Sequence, residues 1–171
     1  KTQSSLLEAM EEGQTTVGGK KYKLPEPFMV IATQNPSEFI GTYKLPEAQT
    51  DRFMMRLTVG YPDESEEMRM AENMLNGKTT DTIESIMTAE DVIEMKKKVS
   101  AVKIKEEVIR YARNIADMTR NESRFVMGIS PRAVISLIKA SQAKAFLSGR
   151  DYVKPDDIKK VAPYVLSHRL T

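Results

Sequence analysis

The chain has no cysteine, a single histidine and no long apolar run. Without thiols there are no disulfides and no thiolate metal sites, which fits a reducing compartment. One histidine leaves no basis for a histidine-built zinc centre. No stretch approaches the roughly 20 apolar residues that a spanning helix requires, and no signal peptide is visible. Charge of one sign is also missing: 26 Lys and Arg face 24 Asp and Glu, a net +2, so there is no general attraction to nucleic acid or anionic membrane. The eight glycines form no G-x-x-x-x-G-K-[ST] phosphate loop. Gly18-Gly19-Lys20 comes nearest but lacks the first glycine, the hydroxyl residue and a following helix. No apolar strand ends in paired acids suited to magnesium. With the start at Lys1 rather than methionine, these gaps set the expectation that the chain is the back part of a longer protein.

What is present suffices for a core: 40% of the 171 residues are apolar, too many for a chain disordered throughout. The pattern changes near Gly77. Up to residue 76, strand-like runs alternate with short helices and prolines; from 77 to 171 the pattern is nearly all helical. The boundary is expected in the polar, turn-rich segment Asn76–Asp81.

In the first part, Gln3–Glu12 reads as a helix with Leu6, Leu7 and Met10 on one side, stopped by Gly13. Gln14–Val17 and Lys20–Leu24 form a predicted hairpin around Gly18-Gly19. Phe28–Ala32 is continuously apolar, as in a strand covered on both faces. Phe53, Met55, Leu57 and Val59 alternate with Met54, Arg56 and Thr58, predicting a half-covered strand. Glu64–Asn76 is a predicted helix whose methionines, Met70 and Met74, read as core filler. Two strands alone cannot make a stable parallel sheet. The fold class expected is therefore α/β plus all-α, a doubly wound domain cut through its middle and followed by a small helical bundle.

In the second part, Thr88 caps Ala89–Lys98 with Asp91 three residues on. Val108, Ala112, Ile115 and Ala116 mark the buried stripe of the next helix. Ser130 and Pro131 are suited to the cap and first position of a third, with Val134, Leu137, Ile138, Ser141 and Ala145 inward. Ile158, Val161, Ala162, Val165 and Leu166 make a regular amphipathic stripe behind Pro155, although Lys154 is a poor cap.

Three residues stand out chemically. Asn35 lies in the Ile31–Pro36 run, where ligands bind just beyond strand ends in α/β sheets; closing an Asn-Pro turn is its plainer structural alternative. Arg52 sits at the end of a short helix predicted after Leu45-Pro46-Glu47, placed to meet an anion; locally, pairing with Asp51 or Glu47 is the simpler reading. Arg132 lies in the first turn of its helix, where the dipole already favours an anion, so a cation there either awaits phosphate or pairs with an acid of its own chain. Glu11 and Glu12 read as solvated, Asp156 and Asp157 as a first-turn charge pair, and His168 as a surface or C-cap residue.

Longer motifs add a resemblance. Leu6–Gln14 (LLEAMEEGQ), Leu24–Phe28 (LPEPF), Ala32–Pro36 (ATQNP), Gly41-Thr42-Tyr43, Leu45–Gln49 (LPEAQ), Asp51-Arg52-Phe53, Ser130–Ala133 (SPRA), Gly149–Val153 (GRDYV) and His168-Arg169 together resemble the MoxR family of AAA+ ATPases, over essentially the whole chain. The likeness implies a partial AAA+ nucleotide-binding domain at 1–76, without Walker A and B, and an α-helical lid at 77–171. It implies sensor 1 at Asn35, an arginine finger at Arg52 and sensor 2 at Arg132, the last acting within or across the subunit boundary. The Gln14–Leu24 hairpin resembles the clade's pre-sensor insertion facing a ring's pore. ATP and Mg2+ are implied for the full-length protein, with a hexameric ring as working form, cytoplasmic location, and von Willebrand A domain proteins as partners for chaperone-like remodelling or metal loading. The chain alone is expected to be inactive. Lys44 and Thr50 depart from the family's usual proline and leucine. A non-catalytic interaction module is the competing reading. A nucleic-acid motor, which can carry a similar hairpin, is disfavoured by the charge balance and the lack of a basic, aromatic strand.

Overall fold

The computed structural model describes residues 2–34, 46–77 and 83–170, with the side chains of all but 2–5, 47 and 48. It opens with helix α1 (Thr2–Glu12) and the antiparallel hairpin β1 (Gln14–Val17) and β2 (Lys20–Lys23). Gly13, at φ +60°, turns the chain out of the helix, and Gly18 and Gly19, both at positive φ, close the hairpin tip. Thr15 faces Tyr22 across the ladder. Leu24 N–H donates to the Gly13 carbonyl at 2.8 Å, which seals the hairpin's base, and Thr16 N–H donates to the Glu8 carboxylate at 3.2 Å. Helix and hairpin are thereby one unit.

The two longer strands expected at 28–32 and 53–59 are not formed. The hairpin is the only sheet among the described residues, so neither segment has a ladder to join, and a strand buried on both faces cannot exist without neighbours. Short helix α2 (Glu47–Thr50) ends before Arg52, which lies in the turn that follows, with its N–H on the Gln49 carbonyl at 3.2 Å. Helix α3 (Glu64–Leu75) has a full capping box, Asp63 accepting from Glu66 N–H and the Glu66 carboxylate accepting from Asp63 N–H. Its methionines are not core filler: Met70 and Met74 are exposed. No residue of α3 is buried.

The core belongs to the second part. Helices α4 (Ala89–Ser100), α5 (Glu106–Arg120), α6 (Pro131–Leu147) and α7 (Pro155–Leu166), with a closing 3₁₀ turn (Ser167–Arg169), enclose Val102, Val108, Ala112, Ala116, Ile129, Ala133, Leu137, Ile158 and Val165. Thr88 and Asp91 form the expected reciprocal cap of α4. The poor cap at Lys154 is made good from inside: Asp157 accepts its backbone N–H at 2.8 Å and holds Arg150 by two bonds, at 2.6 and 2.8 Å. Asp157 is thus a buried structural acid rather than one of a solvated pair. The loop that delivers α6 is pinned on α5, where Arg120 Nε donates to the Ile129 carbonyl and Ile129 N–H to Thr119 Oγ1. Gly128 is required by contact here, since a Cβ would stand 2.6 Å from the Arg120 Cα.

Candidate functional site

Arg52 and Arg132 meet on one atom. Arg52 Nε and Arg132 Nη2 each lie 2.9 Å from Glu11 Oε1. The three residues come from separate elements: the last turn of α1, the turn after α2 and the first turn of α6. The site is open to solvent, with side-chain exposures of 25% for Arg52, 36% for Glu11 and 51% for Arg132.

The backbone around this junction is held by part-buried polar contacts. Ser130 Oγ accepts from Ala133 N–H as the cap of α6 and donates to the Asp51 carboxylate, 3.2 Å from each oxygen. The residue before Arg52 is therefore tied to the residue two before Arg132. Arg169, buried at the far end of the chain, donates through Nη2 to the carbonyls of Asp51 at 3.0 Å and Phe53 at 2.7 Å, the residues on either side of Arg52. Its Nε lies 3.4 Å from an Asp51 oxygen. Burial pulls the Arg169 guanidinium below its usual pKa and the Asp51 carboxylate opposes that pull. Arg169 Nε lies 3.3 Å from His168 Nε2, and the same nitrogen lies 3.0 Å from the Phe53 carbonyl, a bond that needs the proton on Nε2. Burial lowers the imidazole pKa more than this bond raises it, so the neutral ring is favoured. Farther along, Arg56 N–H donates to the Tyr164 carbonyl at 2.8 Å.

Of the three residues singled out by sequence, Arg52 and Arg132 come together and Asn35 lies outside the described residues, as do Gly41–Tyr43 and Lys44. Arg52 pairs with Glu11 rather than with Asp51, which is engaged by Ser130 and Arg169; the side chain of Glu47, the other local candidate, is outside the described residues. Arg132 pairs with an acid of its own chain. Glu11 is not free in solvent, and His168 is half-buried against Phe53 rather than a surface or cap residue. Sequence reasoning missed Glu11, Asp51 and Arg169. The available signal was positional: Glu11 is an acid at the C-terminal end of a helix and Arg132 a cation at an N-terminal one, and misplaced charges of opposite sign invite each other. Two guanidiniums converging beside a helix N-terminus can hold a phosphate or carboxylate. Among the described residues no group of three or more His, Cys, Asp or Glu could hold a metal.

Comparison with known proteins agrees in both parts of the chain. Residues 1–55 match the ATPase family associated with various cellular activities (AAA), and residues 117–171 match the AAA lid domain. Chaperone MoxR1 of Mycobacterium tuberculosis is 37% identical over 99% of this chain and 47% of its own length. The chain belongs to the MoxR family of AAA+ ATPases. YeaC of Bacillus subtilis, itself uncharacterised, is 46% identical over 99% of this chain and 53% of its own. A crystal structure from Cytophaga hutchinsonii, of a protein described as a candidate ATPase, superposes with a TM-score of 0.90 at 40% identity, covering 98% of this chain and 54% of that one. This MoxR-family chain spans about half the length of the curated relatives it matches. No described helix is long and apolar enough to cross a membrane.

Proposed function

We propose that this chain supplies the phosphate-reading and lid portion of an ATPase, with Arg52 as arginine finger and Arg132 as sensor 2. The observation that carries the reading is their convergence on a single carboxylate oxygen at 2.9 Å each. Each guanidinium reaches out of its own element, and together they present planar donors suited to phosphoryl oxygens. The residues fit a nucleotide's terminal phosphate; ATP would supply the scissile phosphoanhydride bond, and Mg2+ would be held outside the described residues. In that role Arg52 and Arg132 stabilise charge on the transferring phosphoryl group, while Asp51, Ser130 and Arg169 fix where the two guanidiniums stand. Asn35 as sensor 1 rests on the family motif alone. Residues 1–76 and 77–171 are taken as the nucleotide-binding part and the lid.

A chaperone-like role draws support from the name of the Mycobacterium tuberculosis relative. Remodelling or metal loading of von Willebrand A domain proteins by a cytoplasmic, hexameric ring is the finer form of the proposal. An upstream G-x-x-x-x-G-K-[ST] in the gene would separate it from the non-catalytic module, a reading favoured only by the fact that both arginines are already paired within the chain. The direct test is Arg52→Ala in the full-length protein. Turnover is expected to fall by about 10³–10⁵-fold while ATP still binds; unchanged turnover removes the assignment.

A further inference from the structure

We infer that the Glu11 carboxylate is a built-in competitor for the phosphoryl anion, holding Arg52 and Arg132 together until a phosphate takes its place. The inference rests on the reading of the two arginines as a phosphate site and goes beyond it by giving Glu11 a role.

Glu11 stands in the last turn of α1, a helix with no basic residue there to offset it. A carboxylate at that end faces the negative pole of the helix, so its charge is not placed for α1. Arg132, in the first turn of α6, has the reverse problem, since that end favours an anion. One ion pair relieves both. Arg52 adds a second donor to the same oxygen, at the same 2.9 Å. Two guanidiniums on one acceptor form a stronger anion site than a single carboxylate satisfies. A phosphate brings nearly two charges and three acceptor oxygens, enough to bond both arginines separately.

The present pairing is also of the exchangeable kind. All three side chains are partly exposed, and solvent-accessible ion pairs are weakly held. The arginines differ in this from Arg169, whose guanidinium is fixed on two backbone carbonyls and an aspartate. A buried clamp therefore sets the backbone at Arg52, and a displaceable carboxylate sets the direction of its side chain. A phosphate can replace the second without disturbing the first.

The full-length protein tests this by arginine modification with phenylglyoxal, the rates at Arg52 and Arg132 being read by mass spectrometry and inorganic phosphate serving as the probe. Glu11→Gln is expected to speed modification of both arginines without phosphate and to lower the phosphate concentration that half-protects them by about threefold or more. Glu11→Asp keeps the charge on a shorter arm and is expected to shift it in the same direction by less; it carries the test if Glu11→Gln does not fold. Equal half-protection in wild type and variants overturns the competitor role while leaving the phosphate site standing. Failure of phosphate to protect either arginine in any form overturns both.

Discussion

Leu57 and Leu137 are the same side chain in opposite circumstances. Leu137, on α6, is 1% exposed among α5 and α7; Leu57, in an apolar alternating run, is 69% exposed. The contrast extends along the chain. From residue 102 onward the apolar positions of α5, α6 and α7 close on one another, whereas Met29, Ile31, Val59 and Tyr61 lie largely open. Helices satisfy their own backbone and need only a face to cover, so a few of them can complete a core locally. A strand must borrow both hydrogen bonds and cover from other strands. The same density of apolar residues therefore closes one part of this protein and leaves the other unfinished among the described residues.

Hydrogen exchange probes the contrast most strongly. In the 171-residue chain, amides of α6 and α7 are expected to exchange at least about a thousandfold more slowly than those of 28–32 and 53–59; in the full-length protein the gap should narrow. Equal protection in the short chain would break the comparison. Leu137→Ala is expected to cost about 2–5 kcal/mol in chemical denaturation, and Leu57→Ala no more than about 0.5 kcal/mol; similar costs would show Leu57 to be covered. Asp157→Asn should cost about 1.5–3 kcal/mol, because it weakens the hold on Arg150 and the α7 start. Burial raises the Asp157 pKa, but the Arg150 bonds and Lys154 N–H outweigh it and the net shift is downward. The folded state thus binds fewer protons than the unfolded one. Its contribution is complete above the ordinary aspartate value of about 3.9 and is lost as pH falls below it, a loss that should vanish from the acid titration of Asp157→Asn. Ser130→Ala, which removes the α6 cap and the Asp51 bond together, should cost about 1 kcal/mol. The smallest effect is at the seam between the parts. His168 is kept neutral by burial, so stability should fall slightly as pH drops below about 6.5, and His168→Gln should flatten that slope.

These differences also mark what was legible in the residues. The capped helices could be read in advance because their signals are local: Thr88 with Asp91, Ser130 with Pro131, and the spacing from Ile158 to Leu166. The hairpin was legible from Gly18-Gly19. The strands at 28–32 and 53–59 were misjudged because an apolar run specifies a need for partners without showing whether they are present. Met70 and Met74 were misjudged for the same reason. At the site, Arg52 and Arg132 were found from chemistry and motif, yet their meeting point was not. Glu11 is 41 residues from Arg52, and no local rule links such positions. Arg169 is legible only as part of a closing motif, since its purpose depends on carbonyls more than a hundred residues away.

That distance has an implication for inheritance as well as for mechanics. The backbone that carries Arg52 is held by a residue more than a hundred positions further along the chain. On the proposed reading of Arg52, Arg169→Ala in the full-length protein should blunt turnover while ligand uptake persists, and such a lesion would masquerade as a defect in the reaction centre although it touches nothing that reacts.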